Sequence, residues 1–404
     1  MTAGVVALAL VAAACGSDDD DSSSSTEGAT EDSTVTTDEM ADDEMADDEM
    51  ADDEMAADCE SPVPVSLQLQ WVTQAQFAGY YAAVDQGFYD EHCLDVTIIE
   101  GGVEIVSQVQ LANGDADFAI SWVSKSLATR EAGAAITNIA QIFQRSGTLQ
   151  VSFTDAGITS PEDFAGKTIG NWGFGNEYEV FAGIGQAGLD PATDVDLVGQ
   201  QFDMVGLLEG DIDAAEAMTY NEYAQVLEAE NPDTGELYQP SDLNVVNYEE
   251  IGVGMLQDSI WADSDKLNDD PDYRDKAVRF VSASIEGWVY CRDNPESCRD
   301  IVIAEGSTLG ASHQLWQMNE INKLIWPSEN GIGFIDQAAW DRTVEVSLNT
   351  PNLDGDTVLT AEPDAEAFTN LIVEAAWEFS ASMDFDLTGD SFTPIDVTLE
   401  PGGE

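Results

Sequence analysis

The segment Leu111-x-x-Gly114-Asp115-x-Asp117 returns as Leu207-x-x-Gly210-Asp211-x-Asp213. In each copy a helix ends, a glycine takes the left-handed cap position, and a buried strand follows. Around the first copy, residues 65–71 alternate as a strand. Residues 77–89 put Phe77, Tyr80, Tyr81, Val84 and Phe88 on one helical face. A strand at 95–100, a helix at 103–112 and a strand at 117–122 follow. Around the second copy the same order reads as a strand at 167–172, a helix at 176–187 and strands at 195–198 and 214–219. Strand and helix in alternation is the pattern of an α/β sheet covered by helices on both faces. The repeat predicts two α/β lobes of similar build. The plainer alternative is one common helix-to-strand junction used twice.

Beyond Gly252 the periodicity becomes helical, at 272–291, 296–304, 313–326, 336–347 and 364–383. The chain is expected to cross between lobes near 144–153 and to return near 250–258. This predicts a discontinuous first lobe, 61–152 with 254–383, a second lobe at 153–253, and a loose tail at 384–404.

The first 60 residues are of another kind. Val5 to Ala14 is apolar and ends in Ala12-Ala13-Ala14-Cys15, the form of a lipoprotein signal spanning 1–15. Ten apolar residues are too few to cross a bilayer. Cys15 is therefore expected to carry lipid and anchor the chain on the extracytoplasmic side of the cell membrane. Secretory leaders open with Lys or Arg, whereas the first basic residue here is Lys125, so a start upstream of Met1 is expected. From 16 to 60 runs an acidic tether with repeated Asp-Glu-Met-Ala-Asp. It has too little apolar surface to fold, and its like charges keep it extended.

The chain has a net charge of −68, with 80 acidic and 12 basic residues. The first 60 residues hold 20 of the acidic and none of the basic ones, leaving 60 against 12, or −48. Phosphate binding needs clustered Lys and Arg, so nucleic acid is excluded as a partner. Self-repulsion of this size favours a soluble monomer and is screened by salt. Higher salt is therefore expected to stabilise the domain, as a saline habitat would require.

Apart from Cys15 there are four cysteines, an even number in an oxidising compartment, which points to disulfides. Cys291 and Cys298 flank Asn294-Pro295 at a helix junction. Cys59 and Cys93 each precede a strand, and parallel neighbours start side by side, so pairs 291–298 and 59–93 are expected. The rival is zinc, but the spacing fits no common zinc pattern and only His92 and His313 could add ligands.

Catalytic motifs are missing. There is no Gly-x-Ser-x-Gly, no phosphate loop and no His-Glu-x-x-His, and no catalytic residue, cofactor or metal is expected. Aromatic and amide side chains instead collect at strand ends, where α/β sheets bind ligands. Trp71 is followed by Thr73, Gln74, Gln76 and Phe77. Trp122 closes the third strand. Trp172 is followed by Gly173, Phe174, Gly175, Asn176 and Glu177, and the strand at 214–219 by Tyr220, Asn221 and Glu222. For any one Trp, core packing is the bland reading. Four such strand ends suit a cleft that stacks and hydrogen-bonds a flat polar heterocycle.

The stretches LQWVTQAQFAGYYAAVDQGFYDEHCLDVTII and GGVEIVSQVQLANGDADFAISW resemble the periplasmic binding proteins of ABC importers. The relevant branch includes the thiamine-pyrimidine-synthase-like and alkanesulfonate-binding proteins. IGNWGFGNEYEV and EAMTYNEYAQVL match its second lobe, and the likeness spans roughly 63 to 345. It implies a two-lobed type II fold with a ligand between the lobes and an ABC permease as partner. It also implies ligand contacts at Trp71, Gln76, Phe77, Trp122, Asn176, Glu177, Tyr220, Asn221 and Glu222, beside Trp172 and Phe174 from the strand-end reading. Members bind pyrimidine precursors, riboflavin, sulfonates or nitrate.

The cleft segments carry no cation, Lys125 and Arg145 being nearest in sequence, and Glu177 and Glu222 would repel an anion. An aminopyrimidine is expected first, a flavin second, a sulfonate or nitrate after these. One branch resembles a pyrimidine-making enzyme with a cysteine-rich motif, a lysine and a histidine in the cleft. This chain has no cysteine cluster, and His92 and His313 are read as lying on helices away from the strand ends. A structural or adhesive lipoprotein would not need aromatic strand ends on both lobes.

Overall fold

The computed structural model describes Cys59, residues 61–381 and residues 385–404. The leader, Cys15 and, apart from Cys59, the tether lie outside the described residues. The first half runs β1 (Val63–Gln68), α1 (Ala78–Asp85), α2 (Phe88–Glu91), β2 (Leu94–Ile99), α3 (Ser107–Asn113), β3 (Phe118–Ser121), α4 (Val123–Glu131) and β4 (Ile136–Gln141). It continues with β5 (Thr148–Phe153), β6 (Thr168–Asn171), α5 (Tyr178–Gln186), β7 (Asp196–Gly199), α6 (Val205–Leu208), β8 (Ala215–Met218), α7 (Glu222–Leu227), β9 (Leu243–Asn247) and β10 (Ser259–Asp263). Six helices close the chain: α8 (Ser264–Asp269), α9 (Pro271–Asp293), α10 (Pro295–Ala304), α11 (Ala311–Ile325), α12 (Gln337–Asn349) and α13 (Leu371–Ala381).

The first sheet has the order β2-β1-β3-β10-β4, with β10 antiparallel to both neighbours. A second sheet has the order β8-β5-β9, and β6 pairs with β7. A single bridge from Ile169 to Ala214 links those two.

The repeated motif does the same work twice. Gly114 and Gly210 both take positive φ, 79° and 77°. Asp117 Oδ2 accepts from Ser66 N at 2.9 Å, and Asp213 Oδ2 accepts from Thr168 N at 2.8 Å. In return the amides of Asp117 and Asp213 donate to the carbonyls of Ser66 and Thr168. Each aspartate thus pins the parallel partner strand in register, β1 in one case and β6 in the other.

Helix α9 is the spine of the first core. Asp270 caps it by accepting from Asp272 N and Tyr273 N, and Pro271 fills its first turn. It lies so close to α1 that a Cβ on Gly287 would stand 2.0 Å from the carbonyl oxygen of Gly79. Phe118, Phe280 and Tyr89 stack beside this contact, with ring centres 4.5 and 5.4 Å apart. The second lobe has its own core around Phe164, Ile169, Val180, Ile184 and Tyr248.

Both expected disulfides are present, Cys59–Cys93 and Cys291–Cys298, with Cα–Cα distances of 5.5 and 5.4 Å. The first forms because β1 and β2 begin side by side, Val63 opposite Leu94. These bridges leave none of the four cysteines as a thiolate for zinc.

Several expectations need correction. The single helix at 77–89 is broken, since Gly87 at φ 80° separates α1 from α2. The segment 144–153 is not simply a crossing, because β5 within it pairs with β8 and β9. The first crossing therefore precedes Thr148. Residues 364–370 form turns rather than helix before α13. The tail is not loose: Leu387 is buried, Gly389 lies against Trp326, and Gly403 packs on His313.

The two crossings are zipped together. Gly147 N donates to Gln257 Oε1 at 2.9 Å, while Gln257 Nε2 reaches Thr148 Oγ1 at 2.8 Å and Ser146 Oγ at 3.2 Å.

Candidate functional site

The strand ends of both lobes surround one cavity of about 500 Å³. Its size falls within the roughly 300–1,000 Å³ of small-molecule sites. Its polar floor is organised by Asp258, a residue the sequence reading passed over as part of a crossing. Gln70 Nε2 donates to Asp258 Oδ1 at 2.5 Å, Trp122 Nε1 to the same oxygen at 2.9 Å, and Gln76 Nε2 to Oδ2 at 2.9 Å. The three donors line the cavity, so one buried carboxylate fixes the rotamers of a ring and two amides. Burial pushes the Asp258 carboxyl up to about 7, against those bonds and the charge of Lys125.

The aromatic wall crosses from lobe to lobe. Trp71 lies 4.8 Å from Phe202, and Phe202 stands nearly parallel to Trp172 at 6.0 Å. Phe202 follows β7 on a connection that carries no strand-end signature, so it went unnoticed in the sequence. The backbone amide of Trp172 donates to Glu216 Oε2 at 2.8 Å, and burial raises that carboxyl well above the usual range. At the mouth, Gly173, Phe174 and Gly175 all have positive φ, and Phe174 is 82% exposed. A phenylalanine at φ 56° is strained, and its exposed ring lines the cavity.

Of the expected ligand residues, Trp71, Gln76, Trp122, Trp172, Phe174, Asn176, Tyr220, Asn221 and Glu222 line the cavity. Two do not. Phe77 is fully buried in the first core, because the turn before α1 rotates it inward. Glu177 folds back so that Oε2 accepts from Gly175 N at 2.8 Å. Thr73 also turns away, to the hydroxyl of Tyr81 at 2.9 Å.

The expectation of a cation-free cleft is overturned. Lys125 stands one turn beyond Trp122 at the start of α4 and lines the cavity. Its Nζ lies 4.6 Å over the Trp122 ring and donates to Asn176 Oδ1 at 2.6 Å, from one lobe to the other. Burial lowers its ammonium to about 8, while Asp258, Glu177 and Glu216 hold it up. Helical spacing from Trp122 is the signal that would have found it. Arg145 stays outside, bonded to the carbonyls of Pro327 and Leu324.

On the opposite wall Glu222 Oε2 accepts from Met218 N at 2.9 Å, and Oε1 from Asn221 Nδ2 at 2.7 Å. His313 is not remote, contrary to expectation: Nε2 is 3.0 Å from Asn221 Oδ1, and Nδ1 is 2.8 Å from Glu228 Oε1. His92 is remote, paired with Glu286 at 2.8 Å.

The sequence profile described as NMT1/THI5 like matches residues 74–298. The chain belongs to the NMT1/THI5-like family. Among its relatives, the formylaminopyrimidine-binding protein of Halalkalibacterium halodurans is 22% identical over 61% of this chain and 72% of its own length. The riboflavin-binding protein RibY of Chloroflexus aurantiacus is 23% identical over 76% of this chain and 86% of its own. The solved structure of a sulfonate ABC transporter's periplasmic binding protein SsuA from Methylobacillus flagellatus superposes with a TM-score of 0.54. It is 15% identical and covers 84% of this chain and 99% of its own. This family member therefore has the two-lobed α/β fold of periplasmic binding proteins.

Proposed function

We propose that this protein is the extracytoplasmic substrate-binding component of an ABC importer, and that it captures a flat aromatic heterocycle. It works without catalysis, as a monomer, held to the membrane by lipid on Cys15 and the acidic tether. A thiamine pyrimidine precursor is the first choice of ligand. One observation carries the reading: Trp71, Trp122, Trp172, Phe202 and Tyr220, drawn from both lobes, enclose one cavity with ordered amides at its floor. Rings stack on a planar solute, and Gln70, Gln76, Asn221 and Glu222 supply hydrogen bonds at its edge.

Lys125 does not turn the site into an anion trap. Its ammonium is engaged by Asn176 and by the face of Trp122, Glu222 lines the same cavity, and the carboxyl of Asp258 is buried behind Gln70, Gln76 and Trp122. A sulfonate would find the Lys125 ammonium already engaged by Asn176 and Trp122. An amino group, by contrast, finds an acceptor in Glu222. A second reading, a flavin, is favoured by the volume, since about 500 Å³ exceeds what one pyrimidine ring fills. The relatives named for a formylaminopyrimidine and for riboflavin support the same ligand class.

Native mass spectrometry of protein purified without denaturation tests the proposal. A co-purifying heterocycle of pyrimidine or flavin mass is expected. A sulfonate in its place would overturn the ligand class, and turnover of a heterocycle by the isolated protein would overturn the non-catalytic role.

A further inference from the structure

Burial orders the cavity lining by depth. At the inner end Gln76 and Trp122 are buried and bonded to Asp258. At the outer end Val103, Ile105, Val106 and Phe174 are large apolar side chains left exposed, and the half-buried Val358 lines the same cavity. Glu104, between two of them in sequence, is exposed and does not line it. Single exposed apolar residues are ordinary, but several converging from three segments on one opening mark a binding surface. Each segment is tied down. Gly101 N donates to Trp71 O at 2.9 Å, and a Cβ on Gly101 would stand 2.4 Å from Leu69 O, so the loop that bears Val103 is seated on the end of β1. Ile105 N donates to Gly102 O at 2.9 Å, and Asn176 N to Gly173 O at 3.0 Å, which closes the turn that carries Phe174. Leu359 N donates to Ser347 O at 3.0 Å and Thr360 N to Glu131 Oε1 at 2.9 Å, which fixes Val358 between α12 and α4. A rim held in place in this way costs a ligand little ordering entropy.

We propose that the ligand carries an apolar end beyond its polar ring, and that this end lies against Val103, Ile105, Val106, Phe174 and Val358 while the polar edge faces Gln70 and Gln76. The proposal rests on the binding function proposed above and adds the second half of the ligand and its orientation. A solute made of one pyrimidine ring would leave part of the roughly 500 Å³ unfilled and the rim in water. Hydrocarbon side chains offer that water no hydrogen bond, so an apolar group that displaces it gains free energy. The reverse orientation would set hydrocarbon against the two glutamines and leave the polar edge of the ring without partners. All five rim residues belong to the same cavity as Trp71 and Trp172, so a ligand stacked on those rings reaches the rim in one binding event.

Calorimetry of the full protein with two matched pairs of compounds tests this. One pair is 4-amino-2,5-dimethylpyrimidine and its 5-benzyl counterpart, and the other is alloxazine and its 7,8-dimethyl derivative. For whichever ring system binds, the apolar-ended member is expected to bind about tenfold tighter, the effect of burying roughly two methyl groups. The double variant Val103→Thr/Val106→Thr keeps the side-chain shape at two exposed positions and adds hydroxyls. It is expected to lose most of that gain, while its affinity for the plain member changes by less than about twofold. Equal affinities within both pairs overturn the proposal, as does a gain that survives in the folded variant. A variant with unchanged ligand binding that loses self-association in sedimentation, or loses uptake through the permease, would give the rim to a second copy or to the permease and likewise overturn it. If neither ring system binds at all, the proposed function falls together with this inference, whereas binding without the gain defeats this inference alone.

Discussion

Asp258 shows how one buried side chain can set the shape of a site. It receives Gln70, Gln76 and Trp122, and each of those presents its remaining surface to the cavity. Asp258→Asn keeps the size but puts an amide donor against donors. Ligand affinity, measured by titration calorimetry, is expected to fall by about 1–3 kcal/mol, the cost of an unmade buried hydrogen bond. Phe174 makes the opposite trade. Asparagine tolerates its left-handed backbone far better, so Phe174→Asn should raise apoprotein stability by about 1 kcal/mol in a denaturant melt and weaken ligand binding. Loss of both effects would mean the exposed ring is neither strained nor used. Trp71, Trp122, Trp172 and Tyr220 were legible in the sequence because a strand end in an α/β sheet has a known direction. Asp258 and Phe202 were not, because they sit on a crossing and a connection whose positions depend on how the lobes meet. Phe77 misled for the same reason: adjacency to Gln76 says nothing about which way a short turn rotates its side chains.

Elements with strong periodicity were readable, and elements defined by partners were not. The long helices α9 to α12 lie within a few residues of their expected bounds, since each keeps a continuous apolar face. Strands β4, β5, β9 and β10 are five or six residues long and are strands only because neighbours pair with them. The bridge Cys59–Cys93 closes 34 residues and Cys291–Cys298 closes seven. Chain entropy predicts that removing the first costs about 4 kcal/mol and the second about 2.5 kcal/mol. Paired Cys→Ser variants in urea melts check the ranking, and an equal or reversed cost would show that strand fraying or native contacts dominate. The tail is an element of the same kind. It packs on Trp326 and His313 and carries no periodicity of its own, which is why its sequence suggested looseness.

At the scale of the molecule the charge dominates. With 80 acidic residues against 12 basic, repulsion opposes compaction, and salt should relieve it. The melting temperature is expected to rise steadily with added sodium chloride, and a flat response would remove the idea. Acid acts in the same direction. Burial raises the carboxyls of Asp258 and Glu179 to about 7, above their unfolded values near 4. For a raised carboxyl the stabilising contribution is full below the unfolded value and is lost as pH climbs through the folded one. Stability of the apoprotein should therefore decline between about pH 4 and pH 7, and less steeply in Asp258→Asn. Calorimetric melts across that range read the slope, and a stability that rises toward pH 7 would contradict it.

The central claim is that rings from both lobes close on a planar, amino-bearing or uncharged solute. Titration calorimetry of the ligand-free protein with an aminopyrimidine thiamine precursor, riboflavin and taurine tests it most directly. Tight binding of a heterocycle, weakened by about 1 kcal/mol or more when Trp71 or Trp172 becomes alanine, is the predicted result. Tight binding of taurine with no heat from either heterocycle would contradict it.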